Sequence, residues 1–385
     1  MEHQARRPWS TLVEDYRENL HGVEKEVGGI VPSNTRTYTR RATLNRDREA
    51  AHERLIKDYF CDEPIYNAET FRNRFRIRRN LFLRIVNDLE REMDYFKLKW
   101  DARGRRGFTP IQKCTTAMRQ LAYGSGSDEL DENIKIAKKT TRICLYKFCK
   151  CIINIYGPKY LRKPTSSDIQ KIYKHHEEVH GLLGMLGSLY CMHWEWSNCP
   201  NAWRGQYMRG DHPAPTIMLE AVTSQDLWFW HAFFGVAGSN NDINLLNQSP
   251  LFNTLVNGTA PDSSFDLRDE PRKYFKRRQE SARKDIERAF GVIKQRFQIV
   301  KNPARAWKLE RIRRVMYTCI ILHNMIIEDD GRAICEFNEE EFEATLGLEE
   351  VSEAQQSVNE QYKRNREIHN NLRQDLVLHL DSGND

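Results

Sequence analysis

Apolar residues recur at helical spacing along much of this chain, most clearly in QESARKDIERAFGVIKQRF, Gln279 to Phe297. Ile286, Phe290, Ile293 and Phe297 lie four, three and four residues apart, which places them on one face of an α-helix. In FRNRFRIRRNLFLRIVNDL, Phe75, Phe82, Ile85 and Leu89 share a face behind a dense arginine face. Leu309–Ile327 is apolar along most of its length and predicts a core helix. Thr109 is placed to cap a helix opening at Pro110, running to about Tyr123 and stopped by Gly124. Asp128–Ile134 predicts a short second helix. Thr140 is placed to cap a third, Thr141–Ile155, ended by Gly157-Pro158. Three short helices with a tight turn between the first two fit a helix-turn-helix and an ordinary bundle joint equally well.

From Gly184 the texture becomes extended. Met185–Trp194, Thr216–Thr223 and Leu227–Phe234 are rich in β-branched and aromatic residues, and Ser224-Gln225-Asp226 reads as a hairpin connection between the last two. A Gly-rich turn follows, then a short helix starting near Asp242, and Asn257 to Arg272 is polar and irregular. The pattern predicts an α+β or α/β chain in four parts. Residues 1–45 read as a disordered arm and 46–180 as a helical, basic, helix-turn-helix-like region. Residues 181–330 read as a mixed domain, and 331–385 as an acidic disordered tail, with transient helix over Tyr362–Leu380.

Composition narrows the class. With 385 residues, 39% hydrophobic and 30% charged, the chain has the make-up of a soluble globular protein with a sizeable core. No apolar run approaches the roughly 18 residues a membrane span requires, and MEHQARRPWS lacks the apolar core of a signal peptide. Nine cysteines, an odd number without framework spacing, predict reduced thiols in cytosol or nucleus. The net charge of +6 is unevenly placed: Arg36–Thr115 holds twenty Lys/Arg against twelve Asp/Glu, and Arg272–Arg296 ten against three. Such patches favour a polyanionic partner.

Few residues stand out as chemical candidates. Glu287, beside the apolar stripe of a basic helix, suits a metal-bound nuclease acid, with a surface acid paired with Arg283 or Lys284 one turn away as the simpler reading. Cys191, His193 and Cys199 lack a fourth zinc ligand nearby, and Cys149 and Cys151 do not share a helical face. His175, His176 and His180 contain one i, i+4 pair without the acid of a metalloprotease helix. Structural roles are the simpler reading for each group. Trp194, Trp196, Trp203, Trp228 and Trp230 read as core or as base-stacking platforms, with Trp228 and Trp230 on one strand face. His323 reads as a hydrogen-bonded core histidine.

Four stretches carry a family resemblance: GMLGSLYCMHWEWSNCPNAWRGQY, the segment from Thr216 to Phe252, QESARKDIERAFGVIKQRFQIV and CIILHNMIIEDD. Extending over about Arg72–Asp330, the chain resembles a PIF/Harbinger-type transposase or a host-domesticated plant-type relative. The resemblance implies an RNase H-like DDE core, in which two Asp and one Glu hold two divalent ions, Mg²⁺ or Mn²⁺, for hydrolysis of DNA. Glu287 matches the family's final acid. Tyr190 stands where the first Asp belongs, and no segment between Leu251 and Glu280 matches the strand that carries the second. The core is expected to be incomplete, through genuine loss or a faulty exon prediction. Asp242 is a further candidate metal ligand, with helix capping as its simpler role. Asp262, Asp266 and Asp269 lie in a polar loop without the strand context of a rigid ligand. Weak catalysis or none is therefore expected. The resemblance implies DNA as partner, with a Myb-like protein or a chromatin complex, and a nuclear location, with cytoplasm as the other compartment. An active nuclease and a non-enzymatic chromatin adaptor are the competing readings.

Overall fold

The computed structural model describes residues 46–126, 129–182, 184–253, 257, 272–335, 352 and 357, without the side chains of 272–277. The expectations for the N-terminal arm, the tail beyond 335, the loop aspartates 262, 266 and 269, and the missing strand fall outside the described residues.

Among the described residues seven helices come first: α1 (Arg48–Tyr59), α2 (Ala68–Phe75), α3 (Arg79–Glu92), α4 (Pro110–Tyr123), α5 (Glu129–Ile134), α6 (Lys138–Tyr160) and α7 (Ser166–His180). Then follow β1 (Ser188–Glu195), α8 (Asn201–Tyr207), β2 (Thr216–Thr223), β3 (Phe229–Ala237) and α9 (Asp242–Gln248). After a 3-10 turn at Pro250–Phe252 come α10 (Arg272–Arg296), α11 (Gln298–Lys301) and α12 (Leu309–Asp329). The fold is mixed α+β, with one antiparallel sheet in the order β1-β2-β3.

Thr109 caps α4 as its sequence predicts, in a capping box with Gln112, and Gly124 ends the helix at φ 59°. Glycine is required there twice over: a Cβ would also lie 2.9 Å from the Gln298 carbonyl oxygen. The third helix departs from expectation. It begins at Lys138, after Ala137 and with no side-chain cap, so Thr140 lies inside it; and it runs through Gly157-Pro158 to Tyr160. Pro158 sacrifices one backbone bond. Burial of Tyr156, Gly157 and Tyr160, and the 2.9 Å bond from Leu161 N–H to the Gly157 carbonyl, outweigh that loss.

The apolar stripe of α10 is fully used. Ile286, Ile293 and Phe297 are 0% exposed and Phe290 5%, each contributing about 1.5–3 kcal/mol by burial. They meet Met192, Trp194, Leu219, Ala221 and Phe234 on one face of the sheet, and α12 packs beside them. The same cluster continues into Phe71, Phe75 and Phe82 of the helical region. On the other sheet face Met218, Phe233 and Val236 pack against Leu245 of α9.

β3 has no strand on its outer side among the described residues, and α12 satisfies that edge with side chains. Asn324 accepts from the Phe229 N–H at 3.0 Å, and donates to the Phe229 carbonyl at 2.8 Å and the Tyr160 carbonyl at 2.7 Å. Tyr317 Oη accepts from the Phe234 N–H at 3.2 Å, and Arg313 donates to the Phe234 carbonyl at 3.1 Å. Gly235 leaves room for this arginine, since a Cβ there would lie 2.5 Å from its Nη2.

The arginine face of α2 and α3 is committed internally. Arg72 and Arg78 pair with Asp330 at 2.8 and 3.1 Å, Arg74 lies 3.9 Å over the Tyr66 ring and bonds Tyr59, and Arg84 reaches Tyr160 at 3.4 Å. Free basic charge is found instead on α6, where Lys139, Arg142, Lys147 and Lys150 are exposed on one face.

Candidate functional site

Glu287 projects from α10, which lies against β1. It is half exposed and pairs with Arg283 across one helical turn, Nε to Oε1 at 3.5 Å. The Arg283 guanidinium carbon also sits 4.5 Å from the centre of the Tyr190 ring. Tyr190 follows the side of β1 that carries Met192 and Trp194 into the core. One cation thus contacts both Glu287 and Tyr190. At this exposure the ion pair contributes at most about 1 kcal/mol.

Asp242 has different neighbours. Asn241, not Asp242, caps α9, accepting from the Asn244 N–H at 2.7 Å, and Asp242 is the first residue within the helix. Asx residues at neighbouring positions serve as caps equally well by type, so sequence alone places the cap only to within a residue. Burial, then the charges of Asp242 and Glu220, push the Cys191 thiol up to about 12. Cys191 follows Tyr190 in the strand and so faces the opposite side. Glu287 and Asp242 therefore adjoin opposite faces of the sheet.

The Asp242 side of the sheet holds an acid that sequence reasoning passed over. Glu220, 0% exposed at the centre of β2, opposes Cys191 across one strand pair and Phe233 across the other. His231 Nε2 lies 3.8 Å from it and 3.1 Å from Ser249 Oγ, and burial pushes this imidazole down to about 4. The signal was an acid within the otherwise apolar run TIMLEAVT.

The remaining candidates resolve into structure. Among the described residues, Cys191, His193 and Cys199 form no ligand cluster. His193 meets Thr216 at 2.9 Å and Arg209 at 3.3 Å. Trp194 and Trp196 donate their indole N–H to the Asn302 and Ala306 carbonyls at 2.8 and 2.9 Å, and Trp228 and Trp230 are buried. Trp203 alone of the five is exposed. His323, 0% exposed, meets the Leu227 carbonyl and Arg296, both at 3.0 Å, and burial pushes it down to about 3.

One histidine grouping has an acid partner after all. His176 and His180 are one turn apart on α7, and His180 Nε2 lies 2.8 Å from Oδ2 of Asp285 on α10. All three are buried, with one ligand atom from each within 4.8 Å of the others.

Residues 158–271 and 263–334 match the family described as Plant transposon protein. The match supports a transposase-derived family. Residues 52–90 match a domain of unknown function. No curated protein and no solved structure matches the chain. The two pieces of the transposon-protein match overlap at 263–271. No helix among the described residues is long and apolar enough to cross a membrane.

Proposed function

We propose that this chain is a PIF/Harbinger-type, DDE nuclease-derived protein that has lost phosphodiester cleavage and kept DNA binding. Three antiparallel strands followed by a helix that carries Glu287 against β1 support an RNase H-like ancestry. The observation that carries the loss of cleavage is Arg283, which contacts both Glu287 and Tyr190. Two divalent ions about 4 Å apart need several anionic oxygens to offset their repulsion. A single carboxylate, a phenol and a guanidinium do not fit that centre. Asp242 and Glu220, on the other sheet face, do not complete it.

The basic face of α6 supports the retained binding. Lys139, Arg142, Lys147 and Lys150 are exposed, and no ion pair engages them among the described residues. In the helix-turn-helix reading of α4–α6, this is the last of the three helices. DNA in the nucleus, together with a Myb-like or chromatin partner, is the setting this reading implies.

Two measurements test the proposal. A labelled duplex incubated with the full chain and Mg²⁺ or Mn²⁺ is expected to stay intact, with Glu287→Gln indistinguishable from the parent. Metal-dependent cleavage abolished by Glu287→Gln would overturn the loss of activity. In the second, duplex binding is expected to weaken as salt rises, with a slope of about 0.9 per phosphate neutralised. The triple variant Arg142→Glu, Lys147→Glu, Lys150→Glu should bind at least about tenfold more weakly and show a shallower slope. Binding that ignores this triple variant would exclude α6, and no duplex binding at all would favour the adaptor reading.

A further inference from the structure

The buried group formed by His176, His180 and Asp285 has a feature that ordinary packing leaves unexplained. Both ring nitrogens of His176 are buried and have no hydrogen-bond partner, although its side chain is 0% exposed. A polar group left in that state costs about 1–3 kcal/mol. Its ring lies 5.5 Å from that of His180, and His180 bonds Asp285. The unsatisfied imidazole therefore faces a ready-made imidazole–carboxylate pair.

We propose that His176, His180 and Asp285 form a site for a single transition-metal ion, zinc by preference, that ties α7 to α10. The donors are two imidazoles and one carboxylate, the set of many three-ligand zinc sites, whose fourth position holds water. Mg²⁺ would prefer an all-oxygen shell and keep several waters, for which a buried pair of imidazoles is a poor host. Zinc bonds of about 2.0–2.2 Å place ligand atoms roughly 3.3 Å apart. The present grouping, within 4.8 Å, needs only small side-chain rotations to reach that spacing. The metal takes the place of the hydrogen between His180 and Asp285: the neutral ring binds through Nε2 as its Nδ1–H tautomer, so that hydrogen is carried on Nδ1 and the imidazole loses no net proton. His176 then gains its missing partner.

The surroundings already orient the ligands. Asp285 Oδ1 accepts from Arg288 at 2.6 Å, which leaves Oδ2 for the ion. The carbonyl of His180 accepts from Arg278 at 2.9 Å, fixing the end of α7 against α10. Leu182 and Ala282 form a small apolar cluster beside the same two helices. Asp285 lies two residues from Glu287, so it points to a different side of α10. The site is separate from the Glu287 surface and does not depend on any nuclease ancestry.

Cobalt(II) provides the test, because its visible absorption reports both geometry and ligand type. The full chain, stripped with chelator and kept reduced, is titrated with Co²⁺ and then with Zn²⁺. One equivalent of Co²⁺ is expected to give visible bands of a four-coordinate nitrogen and oxygen site, displaced by Zn²⁺. No near-ultraviolet thiolate band should accompany them, which separates this site from the nine cysteines. His176→Leu and Asp285→Asn should each weaken binding by about 100-fold or more. His176→Leu removes an imidazole that has no partner without metal, so the stripped variant should melt no lower than the stripped parent. Zinc should raise the melting temperature of the parent and not of that variant. Thiolate bands, the lack of a one-to-one site, or Zn²⁺ stabilisation that survives His176→Leu would each overturn the proposal.

Discussion

Replacing Asn324 with leucine should lower the stability of the fold by about 4 kcal/mol, since three buried backbone groups lose their partner at about 1–3 kcal/mol each, less some relaxation. The side chain is 0% exposed and serves the Phe229 N–H, the Phe229 carbonyl and the Tyr160 carbonyl together. Leucine keeps the branched heavy-atom shape, and its bulkier methyl groups add some crowding to the loss of the hydrogen bonds. For a domain of this size the melting temperature should fall on the order of 10 °C. Urea denaturation of parent and variant checks the figure, and a difference below about 1 kcal/mol would show that water or backbone movement replaces the amide. Such a loss would be a large fraction of the roughly 5–15 kcal/mol that holds a typical domain together.

Asp168→Asn is the second large effect, expected to cost about 3–5 kcal/mol because it removes the opposite charge from the buried Arg162 guanidinium. The two side chains are 2% and 6% exposed. Asp168 also closes the capping box of α7, accepting from the Thr165 N–H at 2.9 Å. Burial pushes its carboxyl upward, but the bonds from Arg162 and Thr165 outweigh burial and hold it below the usual carboxylate range. A carboxyl depressed in the folded state contributes stability that is present above its unfolded value, near 3.9, and is lost as pH falls through the folded value. Parent stability should therefore drop as the pH goes below about 4, while the Asp168→Asn variant lacks this component and its curve is flatter there. Urea midpoints between pH 7 and pH 3 measure both. Parallel curves for the two proteins would remove Asp168 as the source.

Local signals carried well from sequence to structure, and long-range ones did not. Thr109, Pro110 and Gly124 define α4 because capping depends on residues within one turn. The stripe Ile286, Phe290, Ile293 and Phe297 is buried because helical period alone decides which side turns inward. The arginines of α2 and α3 looked available because partners such as Asp329 and Asp330 lie 251 and 258 positions later in the chain. His176 and His180 looked like an incomplete motif for the same reason, since Asp285 arrives from a helix 105 positions on. Asn324 gave no sign of its role, because its partners are backbone groups of a strand and of another helix. The ion pair of Glu287 with Arg283 was legible from a spacing of four. That Arg283 also covers Tyr190 was not, because it depends on how α10 crosses β1.

The side-chain seal that α12 places along β3 has a consequence for how this sheet can change. With Phe229 and Phe234 already engaged by Asn324, Tyr317 and Arg313, an added strand on that side would first have to strip their hydrogen bonds. Growth of the sheet is thereby directed to one border. Apart from the isolated Trp196–Ala304 bridge, β1 pairs among the described residues only with β2. An inserted exon, a partner peptide or a second copy seeking backbone pairing would find its opening there, next to α10.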